Sequence, residues 1–111
     1  MVTRTEYLSQ PGLHVAWLVV ASGPRRGRDI QVRKTTNIGR EAKNHVILDD
    51  ETVSAEHARI RFENGAYVLY DLASSNGTML NGERIQKAML RDEDRITIGR
   101  LQLVFKETKI D

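Results

Sequence analysis

The chain predicts an all-β sandwich of two mainly antiparallel, twisted sheets, and three observations carry that prediction. Short runs of alternating apolar and polar residues recur along most of its length, as in Ala58, Ile60 and Phe62 set against Arg59, Arg61 and Glu63. Strict alternation is the mark of a strand with one buried face. Asn-Gly pairs follow such runs at Asn64-Gly65 and Asn81-Gly82, and a type I′ hairpin turn needs positive φ at both central residues, which Asn and Gly tolerate best. No segment sustains a 3.6-residue apolar stripe of helical length.

The elements follow in order. Residues 1–13 lack a sustained period and contain Pro11-Gly12, so they read as a flexible tail or linker. Residues 15–20 are β-branched and aromatic and predict a strand, closed by the turn cluster Gly23-Pro24-Arg25-Arg26-Gly27. Ile30 and Val32 alternate with polar neighbours as a half-buried strand. Residues 35–38 form a short strand ending at Gly39-Arg40. After a polar loop, Val46-Ile47-Leu48 is too short for a helix and suits a buried strand. Two hairpins follow around the Asn-Gly pairs. A third joins Ile96 and Ile98 to Leu101, Leu103 and Phe105 across Gly99-Arg100. Between residues 85 and 94 there are good helix formers, but no apolar stripe and no cap, so a loop with a short strand is expected. The tripeptide Ile-Gly-Arg occurs at 38–40, where it opens a polar loop, and at 98–100, where its Gly makes a hairpin turn.

Composition limits the function classes. At 111 residues, 40% hydrophobic and 29% charged, the chain is one globular domain with room for a real core. The expected division is a tail over 1–13, the domain over 14–108 and a short C-terminal tail over 109–111. The longest apolar run covers residues 15–21, far short of the roughly 20 residues of a membrane span. It is bracketed by turns rather than placed as a signal peptide. With no cysteine there is neither disulfide nor thiolate metal site, which fits the cytoplasm, the expected location. The net charge of +2 is uneven, its basic excess lying in Arg25, Arg26, Arg28, Arg33 and Lys34. Nucleic-acid binding would need aromatic platforms beside that run, and there are none, so it reads as a solvated face.

Three polar loops stand out: Gly39-Arg40, Ser54 to His57, and Ser74-Ser75-Asn76-Gly77. Sandwich loops gather at the ends of the sheets. Gathered there, Arg40, Ser54, Ser75 and Asn76 offer a guanidinium, two hydroxyls and an amide to one anion. A phosphate suits such a set, because Arg presents a planar fork of donors that stays charged at physiological pH. Each charge-assisted bond is worth about 1.5–3 kcal/mol, so a few of them with backbone contacts reach about −8 kcal/mol, a micromolar complex. Taken singly, every one of these residues has an ordinary structural reading, and His57 beside apolar residues reads as a satisfied structural histidine.

The ordered set is more specific. Gly39-Arg40, Ser54-x-x-His57, Asp71-Leu72-x-Ser74-Ser75-Asn76-Gly77-Thr78 and Asn81-Gly82, with strands between, resembles the forkhead-associated (FHA) domain family across about residues 15–107. The resemblance implies an FHA/SMAD-like sandwich of about eleven strands, binding loops at one end, no cofactor and no catalytic activity. It implies a phosphorylation-dependent module that binds phosphothreonine peptides of a signalling partner, a Ser/Thr kinase or its substrate. Arg40, Ser54 and Ser75 are then expected on the phosphate and Asn76 on the peptide backbone. Gly39, His57, Asp71, Gly77, Thr78, Asn81 and Gly82 are expected to shape the loops. Lys43, Asn44, Thr52, Arg59 and Ser74 are candidates for choosing among partners. Ala55 departs from the pattern, standing where many members carry a side chain that adds a contact.

Three other readings compete. One keeps the fold as a scaffold or oligomerisation unit that binds its partner without phosphate. Another makes Ser54 and His57 a hydrolase pair, but their spacing on a loop entering a strand is not a nucleophile elbow. His14, His45 and His57 also lack metal-ligand spacing. The third places Thr3 or Thr5, once phosphorylated, in the domain's own site.

Overall fold

The computed structural model describes residues 14–109, so the expected 1–13 tail, with Thr3 and Thr5, lies outside the described residues. The strands are β1 (His14–Val20), β2 (Asp29–Val32), β3 (Thr35–Gly39), β4 (Val46–Ile47), β5 (Ala58–Glu63) and β6 (Ala66–Asp71), then β7 (Thr78–Leu80), β8 (Glu83–Ile85), β9 (Lys87–Met89), β10 (Arg95–Ile98) and β11 (Leu101–Lys109). A six-stranded sheet runs β2-β1-β11-β10-β7-β8 and a five-stranded sheet runs β4-β3-β5-β6-β9. Every pairing is antiparallel except β3 with β4. Among the described residues no helix forms. The all-β sandwich of eleven strands is the expected one.

Alternation along the strands builds the core. Ala16, Leu18 and Val20 of β1, Ile96 and Ile98 of β10, and Leu101, Leu103 and Phe105 of β11 face Ile38, Ala58, Ile60, Phe62, Tyr67 and Leu69 of the other sheet. Leu18, Ile60, Leu69, Ile96, Leu103 and Phe105 are wholly buried, each contributing about 1.5–3 kcal/mol by leaving water. Tyr67 stacks edge-on against Phe62 and Phe105, with ring centroids 4.8 and 5.5 Å apart.

Both Asn-Gly turns form as expected, with φ of 51° and 81° at Asn64-Gly65 and of 50° and 86° at Asn81-Gly82. Residues 83–89 carry the expected hairpin partner of residues 79–80 and the expected short strand beyond it. There are two short strands, and they belong to different sheets: β8 pairs with β7, and β9 pairs with β6. Gln86 makes the crossing, its carbonyl accepting the Asp71 N–H at 2.9 Å. The expected strand at Val46-Ile47-Leu48 closes after two residues, and Leu48 makes one further bond to the Gly39 carbonyl at 2.9 Å. At the far terminus β11 carries its pairing to Lys109, opposite His14.

The register sets the site. Ile38 lies opposite both Val46 and Ala58, and Ala58 opposite Asp71. The loops that follow β3, β4 and β6 therefore emerge at one end of the sandwich.

Candidate functional site

Three loops meet at this end: 40–45, 48–57 and 72–77. Gly39 brings the first two together. A Cβ there would stand 2.3 Å from the Ala55 carbonyl oxygen and 2.7 Å from Asn44 Nδ2, so only glycine permits the approach. Arg40 N–H then donates to the Ser54 carbonyl at 3.0 Å. Asn44 ties the same seam, its amide donating to the Glu41 and Ala55 carbonyls at 2.8 Å each.

His57 is wholly buried and braces the second loop against the third. Its Nδ1 accepts the Ser54 N–H at 3.0 Å, so the ring proton sits on Nε2, which donates to the Gly77 carbonyl at 2.8 Å. The third loop turns on Asp71. One of its oxygens accepts the hydroxyls of Ser74 (2.5 Å) and Thr78 (2.7 Å), and the other accepts the Ser74 N–H at 3.2 Å. Burial pushes the Asp71 carboxyl up, but these hydrogen bonds outweigh it and hold the group below its ordinary value. Gly77 takes φ of 85° and donates to Ser74 Oγ at 3.0 Å.

On this frame the polar groups converge. Ser75 N–H donates to Ser54 Oγ at 3.0 Å, leaving the Ser54 hydroxyl proton to donate elsewhere. Asn76 Nδ2 donates to the Thr52 carbonyl at 2.8 Å, leaving Oδ1 as an acceptor. Ser75 and Asn76 are exposed. Arg40 is exposed too, and among the described residues its guanidinium has no hydrogen-bond or ion-pair partner. An exposed guanidinium on a loop tied to Ser54, with the Ser54 hydroxyl and the Asn76 amide oxygen on the neighbouring loops, is the kind of donor and acceptor set that suits an oxyanion on an extended chain.

Other candidates stand differently. Asn44 and Ser74 are buried, and their polar atoms hold the loops together. Thr52 donates its hydroxyl to Asp50 at 2.5 Å and accepts the Arg100 N–H at 3.0 Å. Arg59 Nε donates to Asn37 Oδ1 at 2.7 Å. Lys43 reaches the surface between Glu41 and Glu56, at 3.7 and 3.5 Å. Asn81 and Gly82 sit away from the three loops, at the opposite end of β7 from Thr78, because a strand must be crossed to reach them. There they fix the β7–β8 turn, Asn81 bonding Asp94 and the Arg95 N–H at 2.9 Å each.

Sequence reasoning missed the role of the second Ile-Gly-Arg. Gly99 has φ of 59°, and a Cβ there would stand 2.6 Å from the Thr52 carbonyl oxygen. Arg100 Nε donates to Asp50 Oδ2 at 2.8 Å. The repeat itself was the available signal.

The two sheets and the three-loop end define a β-sandwich module with an exposed arginine, Arg40, at its loop end. The model of the FHA domain matches residues 36–99, and the chain belongs to the FHA domain family. It is 42% identical over 91 residues to the glycogen accumulation regulator GarA of Mycolicibacterium smegmatis, covering 81% of this chain and 58% of that protein. It is 39% identical over 98 residues to the oxoglutarate dehydrogenase inhibitor of Corynebacterium diphtheriae, covering 87% and 68%. The chain thus spans little more than half the length of GarA. Among solved structures, an FHA domain analysed for phosphothreonine-dependent interactions superposes with a TM-score of 0.77 at 32% identity, covering 83% of this chain and 95% of that one. Mycobacterium tuberculosis EmbR in complex with a low-affinity phosphopeptide superposes with 0.76 at 35% identity, covering 87% and 25%.

Proposed function

We propose that this chain is a non-catalytic, phosphorylation-dependent interaction module that binds a phosphothreonine segment of a signalling partner, a Ser/Thr kinase or its substrate. The observation that carries the reading is Arg40: exposed, unpaired among the described residues, and fixed by its own backbone to the Ser54 loop. Arg40 and the Ser54 and Ser75 hydroxyls take the phosphate, and Asn76 Oδ1 accepts a backbone N–H of the partner. Gly39, His57, Asp71, Asn44, Ser74, Gly77 and Thr78 hold the loops. Lys43 is the exposed candidate for partner choice.

Membership of the FHA family and likeness to an FHA domain with phosphothreonine-dependent interactions support this reading. GarA is named as a regulator and its corynebacterial relative as an inhibitor, which fits a module acting by binding. We place it in the cytoplasm, where Ser/Thr kinases work. A scaffold that ignores phosphate has no need of an arginine held clear of carboxylates, and among the described residues Arg40 has no ion-pair partner.

The test is a phosphothreonine peptide library read by fluorescence anisotropy, with unphosphorylated and phosphoserine versions beside it. Binding is expected to require the phosphate. Equal affinity for phosphorylated and unphosphorylated peptides would overturn the proposal.

A further inference from the structure

We propose that the outer face of the six-stranded sheet docks a second copy of this chain, forming a two-fold dimer whose axis runs between β1 and β11. The dimer stands on its own observations, and only its consequence for binding rests on the function proposed above.

Alternation turns Val15, Trp17 and Val19 of β1 away from the core residues Ala16, Leu18 and Val20. Val104 of β11 lies opposite Val19 and shares its face. Trp17, the chain's one tryptophan, is half-buried there with Val19 and Val104, outside the core. Val15 beside it is 37% exposed. An apolar row of this kind, rimmed by polar residues, marks an interaction surface.

Charge along the register selects the occupant. Across β2, β1, β11 and β10 one row reads Asp29, Val19, Val104, Arg95. The row ends in an exposed acid on one side and an exposed base on the other, and among the described residues neither makes an ion pair. A two-fold axis along the strands, between β1 and β11, folds that row onto its own copy. Asp29 then meets the partner's Arg95, and Val19 meets the partner's Val104. In the next row Trp17 lies opposite Lys106 within the sheet, so the axis sets its ring over the partner's Lys106. The Lys106 ammonium is held by Glu93 of its own chain, and its stem and charge suit an aromatic face. Moving the axis one strand over, between β11 and β10, would set Val104 against the partner's Arg95 and lose the match to Asp29.

Four strands about 4.8 Å apart and about six residues long present a face of about 19 by 20 Å. Two such faces in contact fall at the small end of specific interfaces, so the dimer is weak and reversible. An axis parallel to the strands leaves both loop ends pointing the same way. The dimer therefore presents two Arg40 tips side by side, a receptor for two phosphothreonines carried on one partner.

The test is sedimentation of the full chain from low micromolar to near-millimolar concentration, with Trp17 emission read on the same samples. A monomer–dimer equilibrium is expected, with the emission shifting to the blue as the dimer forms. Trp17→Lys abolishes the dimer by setting like charges together. Asp29→Lys or Arg95→Glu alone weakens it by about tenfold or more, because the two-fold repeats each repulsive contact. The two substitutions together restore it. Both side chains are exposed and unpaired, so melting curves like the wild type's are expected for these variants. A chain that stays monomeric at every concentration overturns the inference, and emission already blue-shifted in that monomer would assign the face to residues 1–13 instead. So does a dimer that the single variants leave unchanged, or one that the double variant fails to restore. A peptide carrying two phosphothreonines on a flexible linker is expected to bind about tenfold tighter than one carrying a single phosphothreonine. Trp17→Lys loses that gain and binds the single one as the wild type does. If the single one binds and the double one gains nothing, the side-by-side arrangement falls. If neither binds, the phosphothreonine reading fails, and sedimentation alone decides the dimer.

Discussion

The two Ile-Gly-Arg tripeptides make the same approach and end in opposite chemistry. Gly39 and Gly99 both press against the 48–57 loop, one on the Ala55 carbonyl and the other on the Thr52 carbonyl. Each brings an arginine to the same end of the sandwich. Arg100 meets Asp50 at 2.8 Å and is neutralised. Arg40 meets no carboxylate among the described residues, which leaves its charge for the ligand of the proposed function. The tripeptide therefore supplies a close approach, and the neighbour of the arginine decides whether it braces a loop or stays open to solvent.

The largest expected effect breaks that symmetry through the arginines. Arg40→Ala removes two charge-assisted bonds to phosphate, about 3–6 kcal/mol, so phosphothreonine-peptide affinity falls by at least about a hundredfold. The thermal midpoint stays put, since the side chain has no partner to lose among the described residues. Arg100→Ala changes affinity by no more than about twofold, as expected for an exposed ion pair away from the ligand. Calorimetric titration of both variants against one peptide checks the contrast. Equal losses would mean that the arginines share a role.

Both glycines should cost stability when replaced, Gly99 the more, while the loss of binding should follow the reverse order. Gly39→Ala forces a Cβ onto the Ala55 carbonyl, a cost of about 2–3 kcal/mol for an overpacked contact. Gly99→Ala meets Thr52 as closely and adds about 1 kcal/mol, because its left-handed φ disfavours a Cβ. Urea midpoints should therefore place Gly99→Ala lower. Peptide affinity measured on the folded fraction should drop more for Gly39→Ala, which displaces Arg40 from Ser54.

What the sequence revealed and concealed follows the same division between local and distant partners. Alternation in β5 and β6 and the Asn-Gly turns are local, so those strands could be read directly. The meeting of the loops that carry Arg40, Ser54 and Ser75-Asn76 was an expectation from the order of those loops, which matches a known family. The burial of Asn44 and Ser74 was not legible, since a polar loop residue looks exposed until its bonding partner is known. The split of β8 from β9 depends on which sheet each strand joins, and the stretch around Gln86 carries no sign of it. Asp50 and Arg100 are separated by half the chain, and nothing local pairs them.

That pair allows one finer test. The Thr52 hydroxyl, its N–H and then Arg100 hold the Asp50 carboxyl below its ordinary 3.8. A depressed folded pKa means that Asp50 adds stability above the unfolded value, and that this is lost as pH falls through the folded one. Across that window the second tripeptide loses its carboxylate and Arg100 comes to resemble Arg40. Carbon-detected NMR titration of Asp50 should report the lowered value in the wild type. Thr52→Val should raise it further than Arg100→Ala does, because the hydroxyl outweighs an exposed guanidinium. The reverse order would make the ion pair, rather than the threonine, the group that keeps the two arginines different.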